Sequence, residues 1–395
     1  MAFQQGLSGL NAASRNLDVI GHNIANANTV GMKSSRAEFA ELYASSVGAS
    51  GGISQGIGVS IATVSQAFTQ GNLTITGRDM DVAINGNGFF SLTMPDGSTQ
   101  YSRDGQFKLD KEGNIINNQG GQLMGYPTDD DGNRVAFDAQ PLSLPTGGLI
   151  AARQTDAITA EFNLDSRAVV GADPLGTYGT TVITYDQQGL EFPVSLTFEK
   201  AGLNTWNVYT DVNDGTGPQL AGYQLTFNPD GTLVPVVGAQ VNVPSPNGAF
   251  AVDINFDDVT QFSAPFAVTN LTQNGYQPGE LTSLQIEESG VIMARYSNGQ
   301  SQAAGQIALV NFRNAQGLAP VGGNGWVSTF ASGNPIPGAP GEGNMGMLKS
   351  GAVEDSNVDL TAELVNMMTA QRAYQANAQT IKTQDQIMST LLNMR

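Results

Sequence analysis

The chain contains no cysteine and one histidine, His22, among its 395 residues. Without thiols there is no disulfide, no thiolate zinc site and no cysteine nucleophile, and one histidine does not build a multi-histidine metal centre. Charge is scarce too. Asp, Glu, Lys and Arg make up 13% of the chain, against about 25% in an ordinary globular protein. The charge that is present has the wrong sign for gripping phosphate backbones: 17 basic side chains face 35 acidic ones, a net −18, and nucleic acid is not an expected partner. No apolar run of about 18 residues spans a bilayer, so membrane insertion is not expected either. The opening MAFQQGLSGLNAAS lacks the basic start and apolar run of a cleaved signal peptide. Export is therefore expected to use another route.

Glycine, by contrast, is abundant at 48 residues, and hydrophobic residues reach 40%. That is enough to bury cores, and the length suits two or three domains. The acidity is uneven. Residues 1–45 carry three basic and three acidic side chains, and residues 355–395 carry three and four, so both ends are nearly neutral. Residues 146–282 carry three basic and 14 acidic groups. Neutral ends can pack on copies of themselves with little repulsion, whereas the acidic middle belongs in water.

Both ends read as helices. Phe3, Leu7, Leu10, Ser14, Leu17, Gly21 and Ile24 follow a 4–3 spacing that places five large apolar side chains on one stripe, and Asn26, Asn28 and Gly31 read as a stop. At the other end Leu360, Leu364, Met367, Gln371, Tyr374, Ala378, Ile381, Asp385, Met388 and Leu392 keep the same step. No proline or glycine occurs after residue 352, and Asp359 with Glu363 suits a helix start. Each stripe alone is too thin to hold its own helix. The tails are expected to become helical when neighbouring copies cover them.

Between the ends the signal is β. Asp-Gly and Asn-Gly pairs recur at 96, 104, 214, 230, 247, 274 and 298, separated by runs such as Thr181–Tyr185, Val194–Phe198, Trp206–Thr210 and Gln224–Phe227. Linkers are expected at Gly48–Gly58, Pro141–Gly148, Gln277–Gly279 and Pro335–Gly343. The class is thus mixed α and β, with discontinuous nested domains. The boundaries expected are 1–32 with 355–395 as a terminal helical coiled coil, 33–71 as a connecting segment, 72–144 with 284–354 as an inner β domain, and 145–283 as an outer β insertion.

Catalytic and metal readings are weak. Asp129-Asp130-Asp131-Gly132-Asn133 places Pro127 and Asp138 where a calcium loop needs its first and last ligands, so it reads as a hairpin turn. Asn85-Gly86-Asn87-Gly88 has Ser91 in place of the third glycine of a dinucleotide fingerprint and reads as a tight turn. Asp257-Asp258 and Glu287-Glu288, taken as strand residues, would point to opposite faces and not converge on one bond. His22 reads as a surface or interface residue. No enzyme activity, cofactor or metal is expected.

SGLNAASRNLDVIGHNIANANTVG at 8–31 and GAVEDSNVDLTAELVNMMTAQRAYQANAQTIKTQ at 351–384 resemble the terminal signatures of the bacterial flagellar axial proteins, the rod and hook family. RDMDVAINGNGFFSL at 78–92, YSRDGQFKLDKEGNIINNQGGQLMGYP at 101–127 and QIALVNF within 300–325 resemble that family's shared β domain. His22 and Met32 depart from the Asn and Phe expected there, which bears on local packing. Residues 145–283 match no block, and so large an insertion favours the hook branch over the rod branch.

The resemblance implies a tubular helical homopolymer that transmits torque while bending, a universal joint between rod and filament in swimming motility. Its walls would be built by the terminal helices, with Phe3, Leu7, Leu10, Leu17, Ile24, Leu360, Leu364, Met367, Tyr374, Ile381, Met388 and Leu392 as subunit-packing residues. Implied partners are further copies, the flagellar rod protein, the hook cap protein, the hook–filament junction protein and the flagellar type III export apparatus. The implied location is the flagellum, outside the cell. The alternatives are a distal rod-type axial protein, a monomeric β-rich surface binding module and, third, a glycan hydrolase. The binding module leaves the heptads at both ends unexplained, and the hydrolase is undercut by the absence of convergent carboxylates.

Overall fold

The computed structural model describes residues 2–43, 56–144, 149–171, 177–213, 215, 217–236 and 238–393. Most of the expected Gly48–Gly58 linker, residues 145–148 of the next, and the pair at 214–215 lie wholly or partly outside that set. The chain divides into two compact units. One comprises Met1–Gly147, Leu284–Ala294 and Gln302–Arg395; the other comprises Gly148–Ser283 and Arg295–Ser301.

The first unit begins with helix α1, Ala2–Ala25, and ends with helix α2, Leu360–Asn393. The start of α2 follows from Asp359, whose carboxylate accepts the N–H groups of Thr361 and Ala362 at 2.8 and 3.2 Å and so occupies two donors that a helix leaves open. After α1 the chain forms a long antiparallel ribbon of β1, Ser35–Tyr43, and β2, Gly56–Gln66.

The β body of this unit is centred on Phe89–Thr93. That strand lies between Gln122–Tyr126 and Thr99–Ser102, and the sheet continues through Gly325–Val327 to Ala319–Gly322. Phe89, Tyr101, Phe312 and Trp326 pack edge-to-face beneath it. Two short ladders stitch early chain to late chain: Val82–Asn85 pairs with Met347–Ser350, and Leu73–Ile75 with Ala352–Glu354.

The second unit is a β-sandwich. Tyr178–Tyr185, Glu191–Lys200, Thr205–Asp211 and Gln219–Thr226 form one antiparallel sheet. The other sheet is built around Ala157–Asp165, which pairs in parallel with Phe250–Asn255 and Thr260–Phe262 and antiparallel with Ala267–Gln273. Alternation along Ala157–Asp165 sends Ile158, Ala160, Phe162 and Leu164 inward, where they share one core with Val194, Leu196, Phe198, Trp206 and Val208.

Several turn expectations hold. Asp129 and Asn133 close a hairpin turn through Asn133 C=O and the Asp129 carboxylate. Two readings need correcting. Asp104-Gly105 is no hairpin turn: a Cβ on Gly105 would lie 1.6 Å from the Val82 carbonyl oxygen, so this glycine permits a close backbone approach. Asp257-Asp258 and Glu287-Glu288 sit on exposed turns after their strands and not within them.

Candidate functional site

Where the terminal helices meet the β body, three charged side chains are buried together. Glu354 comes from the late strand Ala352–Glu354. Its Oε1 accepts from Lys33 Nζ at 2.6 Å and from the Gly71 N–H at 2.9 Å, and its Oε2 accepts from Arg103 Nη1 at 3.1 Å. Its own carbonyl accepts the Gly31 N–H at 2.8 Å. Lys33 also donates to the Thr69 carbonyl, and Arg103 to the Gly86 carbonyl, with its guanidinium over the Phe89 ring. Burial pushes the pKa of Lys33 and of Arg103 down, and the Glu354 carboxylate opposes that shift in both. Two buried cations on one carboxylate make every hydrogen bond to a neighbouring carbonyl necessary.

A second polar bracket lies alongside. Asn357 accepts the Ser34 N–H and donates to the carbonyls of Ala67 and Thr69. Asn23 of α1 exchanges two hydrogen bonds with the backbone of Ser35. The segment that leaves α1 and the segment that enters α2 are therefore fixed to each other within a few residues of both helices.

The helices themselves run antiparallel. A Cβ placed on Gly6 would lie 3.1 Å from Ile381, one on Gly9 would lie 3.0 Å from the Asn377 amide, and Asn23 Nδ2 is 3.3 Å from Glu363 Oε1. Gly6, Ala13 and Ile20, seven residues apart, are buried on α1, followed by Asn23. On α2 the covered positions are Glu363, Met367, Ala370, Asn377, Ala378, Ile381 and Gln384, mostly in 4–3 steps with exposed Tyr374 interrupting them. This seam is mostly small or polar.

The expected packing residues distribute unevenly about it. On α1 the stripe of Phe3, Leu7, Leu10, Leu17 and Ile24 lies to one side of the seam, roughly 60–100° around the helix for most members at ~100° per residue. Phe3 and Leu7 are exposed, and Leu10, Leu17 and Ile24 half-buried. On α2 Met367 and Ile381 belong to the seam, whereas Leu360, Leu364, Tyr374 and Met388 are exposed. The side chain of Leu392 lies outside the described residues. Val365, Met368 and Ile387, which the 4–3 count passes over, are exposed as well. Seven large apolar side chains of α2 thus face outward.

His22 is exposed and its ring contacts Asn26, just past the end of the helix. Among the described residues no three His, Asp or Glu side chains are grouped to hold a metal, and no helix is long and apolar enough to cross a membrane.

Four family models match the chain. They are Flagella basal body rod protein over 3–33, Flagellar hook protein FlgE/F/G D1 domain over 83–163, Flagellar basal body protein FlaE D2 domain over 163–276, and Flagellar basal body rod FlgEFG protein C-terminal over 349–394. The flagellar hook protein FlgE of Salmonella typhimurium is 44% identical over 412 aligned residues, and that of Escherichia coli K12 45% over 413, each alignment covering both chains fully. The hook protein of Borreliella burgdorferi is 32% identical over all of this chain and 99% of its own. Among solved structures, the Helicobacter pylori flagellar hook protein FlgE2 superposes with a TM-score of 0.56 at 14% identity, over 70% of this chain and 99% of the other.

Proposed function

This chain belongs to the bacterial flagellar hook protein family, and from that membership we propose how its geometry serves a hook. It is a structural subunit of the flagellum, in a family of polymer-forming proteins not known as enzymes. In our reading the subunits assemble into a flexible tube in which α1 and α2 of each copy form a coiled-coil wall. The outward apolar residues of α2, with Phe3, Leu7, Leu10, Leu17 and Ile24 of α1, are then covered by neighbouring copies. Residues 72–144 with 284–354 would form the layer around that wall, and the acidic 145–283 sandwich the outermost layer. Such a tube acts as a universal joint. Its partners beyond its own kind are the rod protein below, the cap during growth, the junction protein above, and the type III apparatus that exports the subunits.

The observation that carries this reading is the seam: mostly small and polar residues join the two helices within a subunit, while seven large apolar side chains of α2, with Phe3 and Leu7 of α1, stay uncovered. Apolar area left in water on two helices is costly unless another surface covers it. Purified chain should sediment as a polymer at high concentration or high salt and show tubes in electron micrographs. Cells lacking it should bear intact rods with neither hooks nor filaments. A chain that stays monomeric under all these conditions favours the surface-binder alternative.

A further inference from the structure

Helices packed through Gly6, Gly9 and Ala13 have few large knobs to hold one register, Ile20 on α1 and Met367 and Ile381 on α2 being the large apolar members of the seam. Large knobs lock a helix pair into one register; glycine and alanine present almost none. A slip of one turn displaces one helix by ~5.4 Å along the other, and every outward side chain moves with it. Neighbouring copies in a helical polymer meet those side chains at one set of positions, so the register within a subunit decides whether the surface between subunits fits.

Asn23 is placed to decide it. Its side chain is 1% exposed, so its polar atoms depend on protein partners. Oδ1 accepts the Ser35 N–H at 2.9 Å and Nδ2 donates to the Ser35 carbonyl at 2.7 Å, so the amide imitates the two-bond exchange of an antiparallel strand pair. Nδ2 also reaches Glu363 Oε1, one turn into α2. The other oxygen, Oε2, is buried with no protein partner, so Glu363 depends on Asn23 for its contact with α1. One amide therefore touches α1, the entry to β1 and the first turn of α2. A buried asparagine that specifies register at some cost in stability is an established device in coiled coils.

We infer that Asn23 sets the register of α1 on α2 and is thereby a positioning residue for polymer assembly, an inference that rests on the polymer reading above. The residue need not touch a neighbouring subunit. It acts through the side chains it aligns.

Asn23→Asp tests this in the full-length chain. The substitution keeps the shape, but it removes the donor and sets a second carboxylate against Glu363. Adding Glu363→Gln returns a donor to the pair. Sedimentation should show the concentration needed for polymerisation rising about tenfold or more in N23D and falling back in N23D/E363Q, with the unfolding of Trp326 and Trp206 unmoved. Because the chain has no cysteine, Gly9→Cys with Asn377→Cys reads the register directly, and oxidation to the disulfide should slow when N23D is added. Normal polymerisation of N23D, no recovery in the double variant, an unchanged disulfide rate, or a matching shift in Trp326 unfolding each overturns the role. A wild-type chain that stays monomeric in the same run overturns the polymer reading itself, and this inference with it.

Discussion

Lys33 Nζ lies 2.6 Å from Oε1 of Glu354, and both side chains are fully shielded from water. The two residues are 321 positions apart. Their contact closes the first unit at the point where the chain leaves α1 and returns to α2. A buried ion pair adds little net stability when intact, yet removing one member strands the other.

Glu354→Ala should therefore destabilise the first unit by about 3–5 kcal/mol. The lost carboxylate leaves Lys33 and Arg103 buried without an anion. Denaturant unfolding followed by Trp326 should show the loss, and Trp206, in the other unit's core, should unfold as before. An unmoved Trp326 transition would mean that the buried carboxylate contributes nothing.

In the sandwich, Phe162→Ala should cost about 3–5 kcal/mol. The ring is buried between both sheets and packs on Phe198 and Phe256. The cost should register in Trp206 emission and spare polymerisation, since no terminal residue is touched. Loss of polymer in proportion to loss of sandwich stability would contradict the division of labour proposed for the two units.

Acid should loosen the sandwich through Asp186. Desolvation works to raise its pKa, but hydrogen bonds from Leu190, Asn247, Ser245 and Gln188 outweigh it and hold the carboxyl below the ordinary value of 3.8. The unfolded state thus takes up a proton first. The associated stability is fully present above about pH 3.8 and is lost as pH falls from there through the lowered folded value. Asp186→Asn should flatten this part of the Trp206 stability profile; an identical acid profile would exclude the assignment.

Leu364→Asp and Leu17→Asp should each prevent polymerisation while both tryptophan transitions stay in place. Circular dichroism of dilute monomer against polymer should show helix gained on assembly, because an isolated helix pair with its apolar side uncovered is marginal. Strong amide protection of both tails in a verified monomer would count against that gain.

Replacing residues 145–283 by a short Gly-Ser link should leave a chain that still forms tubes, now without supercoiling. Failure to polymerise at all would make the sandwich part of the assembly core.

Much of this was legible beforehand because it is periodic. Residues 360–392 announce a helix by 4–3 spacing, and Ala157–Asp165 shows period 2 as a strand buried on one face does. The helix face was harder to read. Hydrophobic counting follows large side chains, and here the covered seam runs through Gly6, Gly9, Ala13 and Asn23, which such counting ignores. The Lys33–Glu354–Arg103 cluster left no local trace at all. Its members belong to three separate segments, and long-range pairings such as that of Ala352–Glu354 with Leu73–Ile75 bring the last of them home. Gly105 misled for a related reason, since an Asp-Gly pair looks the same whether glycine serves a turn or clears space for a distant carbonyl.

The anion that neutralises Lys33 and Arg103 is encoded 321 residues after the first and 251 after the second. Any product of interrupted synthesis or proteolysis that stops short of residue 354 carries two cations destined for burial and no counterion to meet them, so its body closes only at a cost of about 3–5 kcal/mol. A chain cut before residue 354 is thereby less stable, and more open to proteases, than one that carries Glu354. For an assembly in which one defective member weakens the whole tube, the fold itself performs the inspection.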